Sequence, residues 1–297
     1  MISPVKSFVP MWLGLAPFAA MASPASVPHH IVSLNLCADQ YLLALADRSQ
    51  IAGLTAYATD PEMSAAAGQA RGLRQLRQSA EDVLDSAPDL VIGMSVRRNR
   101  VMAALKDQHY RTLDLHSADS FDDIVGQIRT VAQAVGHPDR GEALIAQMQR
   151  DLAGLPKAGR GRVAAYYQRR GFLTGTGTLV DDLMHRAGLV NLAAKLHRPA
   201  LSQLSIETLV AAQPDFIIVE SATDRVTDQG TEMLHHPALA HIARIHLPQA
   251  WTVCGGPAYV TAARSIVAQV SEPKAPPVSK PKAPPVSKPK APPVSKH

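Results

Sequence analysis

The chain has 297 residues, with 30 Lys and Arg against 25 Asp and Glu, 46% hydrophobic side chains and two cysteines. That is too apolar for a disordered protein and long enough for one large or two medium domains, and two cysteines exclude a disulfide-framework miniprotein and any four-cysteine zinc module. The formal charge of +5 is carried by the ends: setting aside the six lysines of residues 273–297 and Lys6 leaves a body of −2, which excludes the basic surface that nucleic acid requires.

At the N-terminus, Lys6 precedes a mostly apolar stretch from Phe8 to Ala20 and the small-x-small triplet Ala20-Met-Ala22, which predicts a secretory signal over residues 1–22, cleaved before Ser23. Pro10 and Pro17 argue against a buried helix there. Cys37 follows Leu34-Asn35-Leu36, a poor match to a lipoprotein cleavage site, so the exported protein is expected to be periplasmic and without a lipid anchor.

The body reads as alternating strands and helices, hence an α/β fold with mostly parallel sheets. Ile31 to Asn35 is a short strand that passes into an apolar helix around Tyr41 to Ala46. Ile51 to Tyr57 and Leu90 to Gly93 are further strands. Ser120-Phe-Asp-Asp123 is a capping box before a helix carrying Ile124, Ile128, Val131 and Val135, which Gly136-His-Pro breaks. A second helix runs from Arg140 to about Leu155. Beyond it come strands at Arg162 to Tyr167, Phe216 to Glu220 and Trp251 to Cys254. Thr178-Leu-Val-Asp181 opens another helix as a capping box. Residues 273–297 repeat Pro-Lys-Ala-Pro-Pro-Val-Ser-Lys three times; nine prolines there favour an extended spacer of about 75 Å, either disordered or a weak tether to an anionic envelope surface.

Within the body, Ser79-Ala-Glu-Asp-Val-Leu-Asp-Ser-Ala-Pro-Asp-Leu-Val-Ile92 aligns with Ser205-Ile-Glu-Thr-Leu-Val-Ala-Ala-Gln-Pro-Asp-Phe-Ile-Ile218 at an offset of 126, with five of fourteen positions identical. Each copy starts with a Ser N-cap, places a Glu in the first helical turn and ends before Pro-Asp and a buried strand. Two copies predict two similar lobes: residues 23–136, an interlobe helix over 137–160, residues 161–270, then the tail from 271. Loops at the carboxyl ends of the strands then line a cleft between the lobes.

Those loops carry Asn35, Cys37, Asp39, Tyr57, Arg97, Arg98 and Asn99 from the first lobe, and Tyr166, Tyr167, Arg169, Arg170, Trp251 and Cys254 from the second. Aromatic faces and guanidinium forks with few carboxylates suit a large, flat or anionic small molecule. For single residues the alternative is plain structure: a core tyrosine at Tyr166, a solvated charge at Arg98. Cys37 and Cys254 both follow a predicted strand, one in each lobe. They are open to a disulfide, to a contact with ligand, or to two independent thiols. His235, His236, His241 and His246 cluster, but their spacing and Pro237 do not build a helical metal face.

From about residue 29 to 270 the chain resembles the periplasmic substrate-binding proteins for cobalamin, iron-siderophores and haem that serve ABC importers. The resemblance is carried by Ile31-Val-Ser-Leu-Asn-Leu-Cys-Ala-Asp-Gln40, by both copies of the repeat, by Gly175-Thr-Gly-Thr-Leu-Val-Asp-Asp-Leu183 with Ala187-Gly-Leu-Val-Asn191, and by His236-Pro-Ala-Leu239. It implies two lobes bridged by one long helix, a metal chelate in the cleft, no catalytic residues, and no cofactor beyond cobalt or iron inside the ligand. It also implies a monomer whose Glu81 and Glu207, the matching positions of the repeat, dock onto a permease dimer. The resemblance does not carry the ligand, because the cleft loops are its variable part. An exported enzyme using Cys37 or Cys254, and a binder of bare transition metal, are the alternatives from other classes.

Overall fold

The computed structural model describes residues 26–272 apart from Gln78; the expected signal over 1–22 and the repeat tail beyond 272 lie outside the described residues. The first half forms strands β1 (Ile31–Ser33), β2 (Ile51–Thr55), β3 (Gln75–Leu76), β4 (Leu90–Met94) and β5 (Thr112–Leu115), with helices α1 (Leu36–Leu45), α2 (Ala80–Asp85) and α3 (Arg100–Ala104) between them. All five strands are parallel, in the order β3-β2-β1-β4-β5. Helices α4 (Phe121–Val135) and α5 (Pro138–Ala153) follow and pack on each other.

The second half contributes β6 (Val163–Tyr166), β7 (Phe172–Thr174), α6 (Leu179–Arg186), β8 (Val190–Asn191), α7 (Leu192–Lys195), β9 (Leu201–Gln203), α8 (Ile206–Ala211), β10 (Phe216–Glu220), α9 (Gln229–Glu232), β11 (Ala243–Leu247) and α10 (Tyr259–Ser271). Its parallel sheet runs β11-β10-β6-β8, and β7 and β9 form a small antiparallel ribbon. The chain passes from one parallel sheet to the other once, through α5, which also contacts α10. The fold is thus α/β with two parallel sheets in two lobes.

Local signals explain most of these boundaries. The hydroxyls of Ser79, Ser120, Thr178 and Ser205 each accept the backbone N–H three residues on, capping α2, α4, α6 and α8. Gly136 ends α4 at φ 88°, and a Cβ there would lie 2.6 Å from Val27. Pro138 stands in the first turn of α5, where its missing N–H costs nothing.

One expected strand is displaced. Trp251 closes a 3-10 turn (Gln249–Trp251), and the strand lies upstream as β11, paired with β10 from Phe216–Ala243 to Glu220–Leu247. Arg244 and His246 occupy its half-buried positions while Ile245 and Leu247 are buried, so a true two-residue alternation was masked by polar residues, and Pro248 ends it. The short strands β3, β5, β7, β8 and β9 carry too few residues to show a period.

Strand alternation distributes the core. Ile31, Leu90, Ile92, Ala164, Tyr166, Phe216 and Ile218 face one continuous core shared by both sheets with α1, α4, α5, α6 and α10. Their neighbours Val32 and Val91 face a separate cluster on the outer side of the first sheet, and Ala165, Tyr167, Ile217 and Val219 face another on the outer side of the second. The lobes therefore share a hydrophobic seam as well as a connecting helix.

Candidate ligand cleft

In open α/β sheets a ligand crevice forms beyond the carboxyl ends of the strands, where the strand order reverses. In the second sheet that point lies between β6 and β10. A cavity of about 330 Å³ opens there, at the lower end of the size of small-molecule sites. Tyr166 ends β6 and Glu220 ends β10; both line the cavity, and the Tyr166 hydroxyl donates to Glu220 Oε1 at 3.1 Å. Gln168, Thr174 and the first residues of α6 form one side, and Gln249, Thr252, Val253 and Gly255 form another. Ser117, Ala118 and Asp119, in the loop after β5, close it from the first lobe. Burial pushes the Tyr166 phenol well above its ordinary pKa, and the nearby Glu220 charge pushes it further, so it remains a neutral hydrogen-bonding group.

The fold separates the residues expected in the cleft. Tyr166 lines the cavity. Tyr167, one residue on, points to the opposite face of the sheet; it is fully buried, donates to the Leu204 carbonyl at 2.7 Å, and burial raises its phenol to about 12. Asn35 is the N-cap of α1, its Oδ1 accepting from Ala38 N–H at 3.1 Å. Tyr57 stands exposed on the turn after β2, and Arg98 is exposed on the turn formed by Val96–Arg98, which also holds Arg97. Arg169 is exposed and pairs with Asp228, 59 residues away. Trp251 packs half-buried against the shared core, next to the cavity-lining Thr252.

Beyond the single aromatic Tyr166, the cavity carries hydroxyls, amides and two acidic side chains, with no Arg, Lys or His among its lining residues. Glu220 was available to sequence reasoning, because it ends a recognised strand on the ligand side. Ser117–Asp119 were not, since β5 was too weak a pattern to be assigned.

Cys37 and Cys254, 217 positions apart in sequence, form a disulfide with Cα atoms 5.3 Å apart. Cys37 lies in the first turn of α1, beside the reversal point of the first sheet between β1 and β4; Cys254 lies beyond β11 of the second. The bond crosses between the lobes and leaves neither sulfur as a nucleophilic thiolate. Nearby, the Tyr41 hydroxyl of α1 donates to the Gly255 carbonyl at 2.6 Å. Outside the cavity lining, Glu81 and Glu207 are exposed in the first turns of α2 and α8. Each carboxyl is held below its ordinary pKa by its own backbone N–H and by the capping serine, Ser79 or Ser205.

A family model described as periplasmic binding protein matches residues 31–244. The chain belongs to the periplasmic binding protein family. A cobalamin-binding protein of Halobacterium salinarum (strain ATCC 29341 / DSM 671 / R1) is 26% identical over 207 residues, 68% of this chain and 56% of that protein, so the match spans little more than half the relative's length. Among solved structures, the periplasmic heme-binding protein RhuT from Roseiflexus sp. RS-1 in apo form is 27% identical, with TM-score 0.66, over 82% of this chain and 98% of its own. The periplasmic vitamin B12 binding protein BtuF of Vibrio cholerae has the same fold at 19% identity and TM-score 0.61, over 82% and 97% of the two chains. These relatives carry the names of binding proteins rather than enzymes. Among the described residues no helix is long and apolar enough to cross a membrane.

Proposed function

We propose that this protein is a non-catalytic periplasmic receptor that captures a corrinoid and delivers it to an ABC-type import permease. The observation that carries the ligand class is the cavity wall. Tyr166, Gln168, Thr174, Gln249 and Thr252 offer neutral donors and acceptors, matched to the primary amides around a corrin ring. Haem would bring two propionates toward Glu220 and Asp119 with no lining cation to receive them. The cobalamin-binding relative supports the same reading. Residues 1–22 then act as the cleaved export signal. Glu81 and Glu207, kept charged by their caps, are the contacts for two arginine-bearing permease subunits.

The test is titration of the purified protein with cobinamide, cobalamin, haemin and a ferric hydroxamate. Trp251 serves as the reporter; the other tryptophan, Trp12, lies in the expected signal. Corrinoids quench Trp251 with saturation; silence toward both corrinoids together with saturable binding of haemin or the ferric hydroxamate overturns the ligand class.

A further inference from the structure

The residues that line one wall of the cavity, from Thr252 to Gly255, belong to the second lobe but are fastened to the first. Between Trp251 and Tyr259 the chain has no helix or strand of its own. Beyond the turn bonds from the Thr252 and Val253 N–H groups to the Gln249 carbonyl, its order comes from what it is tied to. Cys254, between the lining residues Val253 and Gly255, is bonded to Cys37 of α1. One turn along α1, Tyr41 holds the Gly255 carbonyl. Gly255 itself lies flush against the loop after β5: a Cβ there would come within 2.4 Å of the Ala118 side chain and 2.6 Å of its carbonyl oxygen. Ala118 and Gly255 line the same cavity.

The far end of the segment is anchored as well. The Tyr259 ring, which opens α10, stacks on Phe121 of α4 with centroids 5.5 Å apart. Its hydroxyl donates to the Asp182 carboxylate and accepts from Arg186 Nε at 2.9 Å, both on α6. Leu179 and Val180 of that helix are cavity residues.

We propose that the Cys37–Cys254 disulfide, with the Tyr41 hydroxyl, is an interlobe latch whose purpose is to pre-form the cavity: it holds the Thr252–Gly255 wall against Ser117–Asp119 before ligand arrives. Cys37, Cys254 and Tyr41 are then positioning residues for binding, and the proposal rests on the cleft being the ligand site. An irregular segment left free samples many conformations, and apparent affinity falls in proportion to the fraction that is competent to bind. If the competent fraction drops to about a tenth without the latch, the apparent Kd rises about tenfold.

The experiment compares the oxidised protein, Cys37→Ser/Cys254→Ser and Tyr41→Phe by amide hydrogen exchange and by cobinamide titration followed through Trp251. The expected result for the double variant is faster exchange confined to residues 252–258 and 117–119. Its Kd is raised about tenfold, while quenching at saturation is unchanged. Tyr41→Phe gives a smaller shift in the same direction. Should the double variant fail to fold, the folded wild type is reduced with a dithiol and then reoxidised; reoxidation must restore both slow exchange and affinity. Unchanged exchange in residues 252–258 after loss of the bond overturns the latch whether or not any ligand binds. Faster exchange with undiminished affinity overturns its role in binding. Silence of the wild type toward both cobinamide and cobalamin, with saturable binding of haemin or the ferric hydroxamate, overturns the corrinoid reading alone, and the affinity comparison is then made with whichever of these ligands binds.

Discussion

The two helix–strand units at residues 79–92 and 205–218 are copies in sequence, and they do the same mechanical work in their lobes. In each, a serine caps a short helix, an exposed Glu sits in its first turn, and a residue just before the proline takes a positive φ: Ala87 at 40° and its counterpart Gln213 at 48°. The aspartate after the proline then ties down the first strand of its sheet. Asp89 accepts from the His29 and His30 N–H groups ahead of β1, and Asp215 accepts from Val163 N–H at the start of β6. What differs is the opposite end of the strand that follows. β4 leads into the exposed turn with Arg98, whereas β10 ends in Glu220 and the cavity. A duplicated frame carries unlike loops, so the frame reports the fold and the loops report the function.

The largest expected effect tests whether the copies are equal partners. Reversing either glutamate, as Glu81→Arg or Glu207→Arg, is expected to abolish uptake in cells with ligand affinity unchanged; loss of affinity would move these residues into a binding role. Because both carboxyls are depressed, they lose their charge at a lower pH than an unperturbed glutamate, whose pKa is about 4.3. The stability they lend their helices is present above the unfolded-state pKa and is lost only as pH drops through the lower folded value. Pull-down of the permease should therefore persist to a lower pH than the titration of an unperturbed glutamate would allow.

Next in size are the aspartate clamps. Asp89→Ala is expected to cost about 2 kcal/mol in urea unfolding, and Asp215→Ala about 1, since the first loses two hydrogen bonds to a carboxylate and the second one. Equal costs would break the correspondence between bond count and stability. The adjacent tyrosines sharpen the contrast between frame and loop. Tyr167→Phe strands the Leu204 carbonyl and should lower stability by about 1 kcal/mol without touching affinity, whereas Tyr166→Phe should weaken ligand binding severalfold at little cost to the fold. The smallest effect is the backbone one: Ala87→Gly and Gln213→Gly relieve a left-handed conformation and should each raise stability by about 0.5 kcal/mol, read as a shift in the urea midpoint.

Legibility followed the range of the interactions. Caps at Ser79, Ser120, Thr178 and Ser205 act within four residues, so the sequence displays them directly. The strand ending at Glu220 was equally plain from its apolar run. Arg169 stands outside the cavity lining and pairs with Asp228, 59 residues on, a contact no local pattern displays, and only the register of β6 decides which of two consecutive tyrosines faces the shared core.

By itself the sequence determined an α/β chain with a duplicated helix–strand frame, the glutamates in its first turns and the periodicities that bury the strands, since all of these depend on neighbours a few residues apart. Only the tertiary structure decided that Cys37 and Cys254 meet across 217 residues, that Gly255 rests on Ala118, and that the cavity wall is neutral and acidic rather than cationic. Those contacts depend on how two separately formed sheets are set against each other. That arrangement is fixed by the shared core and the seam between the lobes, not by any local preference of the chain.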